Sequence, residues 1–178
     1  NFHHVYVDDD TSLTEPGGAG ADGGIRVTAK LPNTVVHNNF DTTGGTGAVN
    51  ERPISATNYK AHAALTQVHQ DYDIQAVSAG DVDLTGKTIV ALDYWVWANR
   101  GSGAAGTPAL VYQADLEQAI TLDTISALFN KIVDTATYPS TGASVIGMES
   151  SGAGADTFLY ECGVLVVYYG AGGITEAD

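Results

Sequence analysis

Residues Thr88–Ala98, TIVALDYWVWA, decide the fold class of this chain. Apart from Thr88 and Asp93 they are all apolar or aromatic, and they include the only two tryptophans. A run that is apolar on both faces and rich in aromatic and β-branched residues predicts a central strand of a β-sandwich. It follows Asp81–Lys87, DVDLTGK, which has the composition of a turn.

Further strands are predicted on both sides of this run. Thr157–Tyr169, TFLYECGVLVVYY, is a second strongly apolar strand, in which Gly163 suggests a bulge. Ile25–Leu31, IRVTAKL, alternates between apolar and polar residues, which predicts a half-buried strand. Shorter strands are predicted at Thr34–His37, Tyr72–Val77, Ala109–Ala114 and Ala143–Met148.

One segment, residues 123–133, carries a helical pattern instead. Its apolar residues recur at i, i+3, i+4, i+7 and i+8, and they are Ile125, Leu128, Phe129, Ile132 and Val133. Asp123 suits an N-cap, Lys131 suits the negative end of the helix dipole, and Pro139 follows the expected end. The sequence therefore predicts one short amphipathic helix here.

Together these patterns predict a mainly β protein, a two-sheet antiparallel sandwich of jelly-roll type with one short helix. The 178 residues suit one domain, or one domain with an arm. Residues 1–24 contain a short alternating strand, FHHVYV, and a Gly-rich stretch, EPGGAGADGG, so we interpret them as an N-terminal arm and linker. Residues 25–178 form the predicted sandwich domain.

The charge balance excludes several partners. Seven Lys and Arg residues oppose 21 Asp and Glu residues, for a net charge of −14. Such a charge repels phosphate backbones and anionic lipid, so neither nucleic acid nor an anionic membrane is an expected partner. No stretch approaches the roughly 18 apolar residues of a membrane span. The 15 Asp against 6 Glu fit a loop-rich β protein, with adaptation to high salt and Ca²⁺ binding left open.

Catalytic motifs are absent from the sequence. It contains no HExxH, GxSxG or phosphate-binding loop. The five histidines form no familiar metal-ligand spacing, and they are His3, His4, His37, His62 and His69. Asp93 and Glu161, each inside an apolar strand, are the one pair that could serve glycosidase chemistry. Cys162 fits a buried, inert thiol, so we predict that the protein is not an enzyme.

Two acidic groups suit a hard cation. Asp8, Asp9 and Asp10 are candidate Ca²⁺ ligands, although a solvated acidic turn has the same sequence. The Asp81-x-Asp83 spacing places alternate carboxylates on one side of the chain. No other cofactor is predicted.

Two sets of apolar residues are candidates for contact with partners. Trp95 and Trp97 are two residues apart on a strand and therefore share a face. If exposed they would form a sugar-binding platform, and if buried they would belong to the core or a subunit interface. In the N-terminal arm, the candidate interface residues for adding a strand to a neighbouring sheet are Phe2, Val5, Tyr6 and Val7.

Two stretches resemble a known kind of module. Asp83–Thr88, DLTGKT, leading into Tyr94–Trp97, YWVW, is similar to a strand of the jelly-roll modules found in carbohydrate-binding modules and phage tail proteins. Thr157–Val164, TFLYECGV, resembles their last strand. Glu161-Cys162-Gly163 stands where those modules often have an Asp pair that serves Ca²⁺, so the resemblance does not carry that metal site over. It implies the fold before it implies a function.

Three functions remain open from the sequence. The first is a self-assembling structural protein of a virion (capsid, decoration or tail) or of an extracellular filament, a homo-oligomer whose partners are copies of itself and other subunits. The alternative is a secreted carbohydrate-binding module that uses Trp95 and Trp97 on a glycan. The third is a hydrolase that uses Asp93 and Glu161. The first two predict an extracellular or virion-surface location.

Overall fold

The computed structural model describes residues 25–40, 42–44, 59–63, 66–101, 107–113, 116–134, 137–139, 145–151 and 157–169. Within these ranges the chain is a sandwich of two antiparallel sheets, which confirms the predicted fold class. The N-terminal arm and linker, residues 1–24, lie outside the described residues. So do the candidates within them, namely Phe2, Val5, Tyr6, Val7, Asp8, Asp9 and Asp10.

Eleven strands make up the two sheets within the described residues. They are β1 (Ile25–Lys30), β2 (Pro32–Asn38), β3 (Thr42–Gly44), β4 (Tyr59–His62), β5 (Gln67–Ile74), β6 (Thr88–Arg100), β7 (Ala109–Tyr112), β8 (Leu116–Ala119), β9 (Ala127–Asp134), β10 (Val145–Ser151) and β11 (Thr157–Tyr169). The six-stranded sheet has the order β3-β4-β11-β6-β9, with β1 also paired to β11. The five-stranded sheet has the order β2-β5-β10-β7-β8. Neighbours are mostly distant in sequence, as jelly-roll connections require.

The core lies between the two sheets, and the long strands β6 and β11 form its six-stranded side. β6 is central, as predicted, because β11 and β9 pair with its two edges. Alternate residues of β6 and β11 point inward, because side chains of a strand alternate between faces. The inward residues of β6 and β11 include Leu92, Tyr94, Val96, Cys162, Val164 and Val166. They pack against inward residues of the other sheet, which include Tyr72, Ile74, Leu110, Ile146 and Met148.

Strand β1 forms as predicted, but with its polar face inward. The alternation would ordinarily turn Ile25 and Val27 to the core, yet they are 44% and 39% exposed. Lys30, on the opposite face, is fully buried. The reason is the loop between β5 and β6, whose backbone carbonyl groups need donors at this place.

Lys30 supplies those donors. Its Nζ donates to the carbonyl oxygens of Val77 (3.2 Å), Val82 (2.8 Å) and Ala79. Burial lowers the pKa of Lys30, while the charges of Asp83 and Asp81 oppose that shift. The acidic Asp81-x-Asp83 turn, a sequence candidate for a hard cation, therefore already faces an ammonium group of the chain itself.

The predicted helix over 123–133 is wrong. Residues 123–126 are loop, and Ala127–Asp134 is strand β9, paired along its whole length with β6. The same apolar residues also satisfy a strand, since Phe129 and Val133 pack against the core while Leu128 and Ile132 point outward. Pairing with the open edge of β6 is a tertiary interaction that overrode the local helical spacing.

The described residues include no helix with the length and apolarity of a transmembrane span.

Candidate functional site

The outer face of the six-stranded sheet carries both tryptophans. Trp95 and Trp97 point away from the core because their neighbours Tyr94 and Val96 point into it. Across the sheet, Trp95 pairs with Gly163 of β11 and Asn130 of β9. Trp97 pairs with Glu161 and Leu128. The two indoles therefore share a face, as their spacing predicts.

The two tryptophans differ in accessibility. Trp95 is only 4% exposed although it lies on the outer face. It packs over Gly163, where an added Cβ would lie 2.9 Å from Trp95 Cζ2, so the missing side chain leaves room for the indole. Trp97 lies opposite residues that have side chains, Glu161 and Leu128, and it remains partly exposed. Of the two, Trp97 is the more accessible to solvent.

Three more aromatic side chains lie at the Trp97 end of this face. Tyr59 of β4 contacts Phe158 and Tyr160 of β11 at ring-centroid distances of 5.2 and 6.2 Å. Phe158 and Tyr160 lie nearly parallel, with centroids 6.2 Å apart. Phe158 and Tyr160 share this side because they are two residues apart, and the register shift between Leu159 and Glu161 places Glu161 on the same side as well. We call Tyr59, Trp97, Phe158 and Tyr160 the aromatic patch, and all four are partly exposed.

Amide and carboxylate groups adjoin the aromatic patch. Asn99 Oδ1 accepts a hydrogen bond from the Tyr160 hydroxyl at 3.2 Å, and Asn99 Nδ2 donates to Ser126 Oγ at 3.1 Å. Further along β6, Asn130 Nδ2 donates to Asp93 Oδ1 at 2.8 Å. Burial raises the pKa of Asp93, and this hydrogen bond opposes the rise. The face therefore combines ring surfaces with fixed hydrogen-bonding groups.

The backbone positions of Asp93 and Glu161 lie far apart along the six-stranded sheet. Glu161 pairs with Trp97 and Asp93 pairs with Leu165, so four strand residues, roughly 13 Å, separate their rows. Glycosidases hold their two carboxyl groups about 5–9.5 Å apart. The Trp95 indole occupies the intervening row, and Asp93 turns toward Asn130 on the far strand.

The single cysteine and one histidine belong to the interior. Cys162 is fully buried, and burial raises the pKa of its thiol well above the usual value, which disfavours the reactive thiolate. His62 stacks on Phe40 with centroids 5.5 Å apart, and its Nε2 lies 2.7 Å from the Thr66 carbonyl oxygen.

Two histidines that the sequence left scattered come together on the opposite sheet. The rings of His37 in β2 and His69 in β5 lie 5.5 Å apart on its outer face. No spacing in the sequence signals this meeting, because it depends on the pairing of β2 with β5. Alternation within Gln67–Ile74, QVHQDYDI, does place His69, Asp71 and Asp73 on one side, which is the only local signal.

Comparison with known proteins finds similar folds but no family. No family model matches the chain, and no curated protein matches it. A solved structure described as a family 16 carbohydrate-binding module matches with a TM-score of 0.40 and 9% identity, covering 62% of this chain and 77% of that one. The N-terminal cellulose-binding domain of Cellulomonas fimi β-1,4-glucanase C matches with a TM-score of 0.35 and 17% identity, covering 78% and 95%.

A third structure, of a family 4 carbohydrate-binding module, matches with a TM-score of 0.29 and 16% identity, covering 66% of this chain and 84% of that one. All three are carbohydrate-binding modules, one of the two groups that the sequence motifs resemble. The scores and identities are too low for the likeness to say anything of this chain's ligand.

Proposed function

We propose that this protein is a non-enzymatic carbohydrate-binding module whose ligand lies along the aromatic patch. The observation that carries the proposal is the patch itself. Tyr59, Trp97, Phe158 and Tyr160, from three strands, present partly exposed rings on one open sheet face. Contiguous exposed apolar surface rimmed by polar groups is typical of a binding site.

The chemistry of the face suits a sugar. The C–H face of a pyranose packs on an aromatic ring, while its hydroxyl groups need donors and acceptors close by. Asn99 beside Tyr160, and Asn130 with Asp93 beyond Trp95, offer such groups. Because the four rings come from three neighbouring strands of one sheet, the patch favours a polysaccharide chain lying across the strands over a small enclosed ligand.

Two observations support a binding role without catalysis. Asp93 and Glu161 are four residues apart along the strands, with the Trp95 indole in the row between them, and Asp93 is bonded to Asn130. The Cys162 thiol is enclosed in the core, away from any substrate. An extracellular location is part of this proposal.

The first of the sequence hypotheses, a self-assembling virion or filament protein, stays a prediction. None of the three structures named above is a virion protein. The arm on which that hypothesis depended, residues 1–24, lies outside the described residues.

Trp97→Ala tests the proposal. A panel of soluble β-glucans, xylans and mannans is screened by affinity electrophoresis, and any retarding polymer is titrated by calorimetry. We expect Trp97→Ala to weaken binding at least about tenfold, which is roughly 1.4 kcal/mol, because the sugar loses its stacking surface. The control is Tyr169→Ala, on the same strand as the patch but at its far end, paired with Thr88.

The expected result is retention of wild-type affinity in the control and loss in Trp97→Ala. The proposal is wrong if no polysaccharide retards the wild-type protein, or if Trp97→Ala binds as tightly as the wild type.

A further inference from the structure

Side chains with imidazole and carboxylate groups form a row across the outer face of the five-stranded sheet. The row begins at His37 in β2, continues through His69 and Asp71 in β5, and reaches Glu149 in β10 and Glu117 in β8. The register explains the row, because His69 pairs with Glu149 and His37 pairs with Asp71. Four strands therefore contribute to one cluster, which we call the imidazole–carboxylate row.

His69 Nε2 is one of three ligand atoms that lie close together. Its Nε2 is 3.6 Å from Glu149 Oε1 and 4.0 Å from Glu117 Oε1. All three atoms lie within 4.8 Å of one another. In a tetrahedral zinc site with bonds of about 2.0–2.1 Å, neighbouring ligand atoms are roughly 3.3 Å apart. Small side-chain movements would bring these three atoms to that spacing.

Glu149 gives an independent indication of a cation. The residue is only 7% exposed, and its Oε2 is buried with no hydrogen-bond partner among the described residues. A buried carboxylate oxygen without a donor is costly, and in folded proteins such a group is paired or binds a metal. The 3.6 Å contact of its other oxygen with His69 leaves Oε2 unsatisfied.

Asp71 is placed to orient His69. It is fully buried, accepts a hydrogen bond from the His37 backbone N–H at 2.9 Å, and lies 2.9 Å from His37 Nδ1. Its Oδ2 is also 3.3 Å from His69 Nδ1, although this contact lacks hydrogen-bond alignment and leaves the buried Nδ1 without a hydrogen-bond partner among the described residues. The negative charge of Asp71 favours the tautomer that keeps the proton on Nδ1, and a small rotation of the ring would complete the hydrogen bond. This tautomer leaves the Nε2 lone pair free for a metal. Asp71 is therefore a positioning residue, secured from the other side by His37.

A cleft beside the glutamates gives access to the cluster. Its volume is about 390 Å³, and it is lined by Gln67, Thr107, Pro108, Ala109, Ala119 and Ile120 together with Glu117 and Glu149. The cleft has room for water molecules that could complete the coordination of an ion. The net charge of −14 also favours the approach of a cation.

We propose that His69 Nε2, Glu117 and Glu149 bind one divalent transition-metal ion, with Zn²⁺ as the best match, and that Asp71 positions His69. One imidazole nitrogen with two carboxylates and an open position suits Zn²⁺, whereas Ca²⁺ takes six to eight oxygen ligands. The site is on the sheet opposite the aromatic patch, so it does not depend on the proposed glycan binding.

The test begins with the full chain after removal of metal by a chelator. ZnCl₂ is titrated by calorimetry, and thermal unfolding is followed with and without zinc. We expect one Zn²⁺ per chain and a rise in Tm of roughly 5–10 °C at a hundredfold excess over Kd. His3 and His4, which are neighbours in the sequence, could also bind zinc. The double variant His3→Ala/His4→Ala is therefore the background control, and it should keep the full response.

Variants assign the ligands. Glu149→Gln should weaken zinc binding by about 100-fold or more, because even changes to residues behind a ligand cost roughly 10–100-fold. Asp71→Asn should weaken it roughly 10–100-fold while keeping one ion per chain. Asp134→Asn removes one exposed charge from the other sheet and should leave zinc binding unchanged.

Metal-free Glu149→Gln separates a metal ligand from a structural ion pair. We expect it to unfold at or above the wild-type temperature, because it removes a buried charge that lacks a donor. A clearly lower temperature would show that Glu149 serves a pair with His69 and would overturn the proposal. Three other results would also overturn the proposal. They are zinc binding that survives Glu149→Gln, zinc binding that is lost in the His3→Ala/His4→Ala variant, and no response of the wild-type protein to zinc.

Two further results would each remove part of the assignment. A Tm that rises with CaCl₂ and not with ZnCl₂ overturns the transition-metal identity. Unchanged zinc affinity in Asp71→Asn overturns the positioning role.

Discussion

The outer face of the six-stranded sheet carries rings and aliphatic side chains, whereas that of the five-stranded sheet carries a row of titratable groups. On the first, Trp97 and Tyr160 lie partly exposed, and Asp93 bonds an amide. On the second, Asp71 and Glu149 are buried beside His69. Both sheets share one apolar core, so the core does not determine what the outer faces carry. The chemistry of each face follows from its own outward residues and their register.

Each of the two outer faces depends on a glycine. Gly163 leaves room for the Trp95 indole, and Gly147 lies against the strand that carries Asp71. At Gly163 an added Cβ would meet chiefly the Trp95 ring, at 2.9 Å, with the Lys30 carbonyl oxygen further away at 3.3 Å. At Gly147 it would meet backbone, the Gln70 carbonyl oxygen at 2.2 Å and Asp71 Cα at 2.6 Å. Backbone within a sheet cannot yield as a ring can.

The largest effect is therefore expected from Gly147→Ala. We expect it to lower the free energy of unfolding by roughly 3 kcal/mol or more, against about 1–2 kcal/mol for Gly163→Ala, where the indole can shift. Urea denaturation of both variants and the wild type measures the difference. Equal losses in the two variants, or a larger loss in Gly163→Ala, would contradict the difference expected between the two glycines.

The next effect concerns the two tryptophans. Trp95→Ala should cost about 3 kcal/mol because a nearly buried ring leaves a cavity over Gly163. Trp97→Ala should cost about 1 kcal/mol, since its ring is already partly exposed. Thermal unfolding in the absence of any ligand gives both values. If Trp97→Ala were the more destabilised of the two, Trp97 would be a packing residue and a poor candidate for ligand contact.

The smallest effect is a pH dependence that belongs to the core and to neither face. Burial raises the pKa of Tyr94 to about 12, above the usual tyrosine value of 10.0. The folded state then resists ionisation, so the stability from Tyr94 is fully present below pH 10 and is lost as pH rises toward 12. Tyr94→Phe should reduce this loss in the free energy of unfolding by up to about 2 kcal/mol.

The measurement is urea denaturation at intervals between pH 9 and pH 11.5. Tyr169→Phe, at the partly exposed end of β11, is the matched control and should follow the wild-type curve. A Tyr94→Phe curve parallel to that of the wild type would contradict the assignment.

Much of the fold could be predicted from the sequence because its signals are local. The runs Thr88–Ala98 and Thr157–Tyr169 are apolar on both faces, and the structure makes them the neighbouring long strands β6 and β11. The spacing of Trp95 and Trp97 requires them to share a face in any strand. These features need only the two-residue period of a strand and the composition of a buried sheet.

The tertiary structure alone decided the rest, because it depends on which strand pairs with which. Ala127–Asp134 satisfies both a helical and a strand spacing, and the edge of β6 selected the strand. The polar face of β1 turned inward because the carbonyl groups of a distant loop accept hydrogen bonds from Lys30. His69 met Glu149 only through the register of β5 with β10. Side-chain period is a property of a segment, whereas register and pairing are properties of the whole sheet.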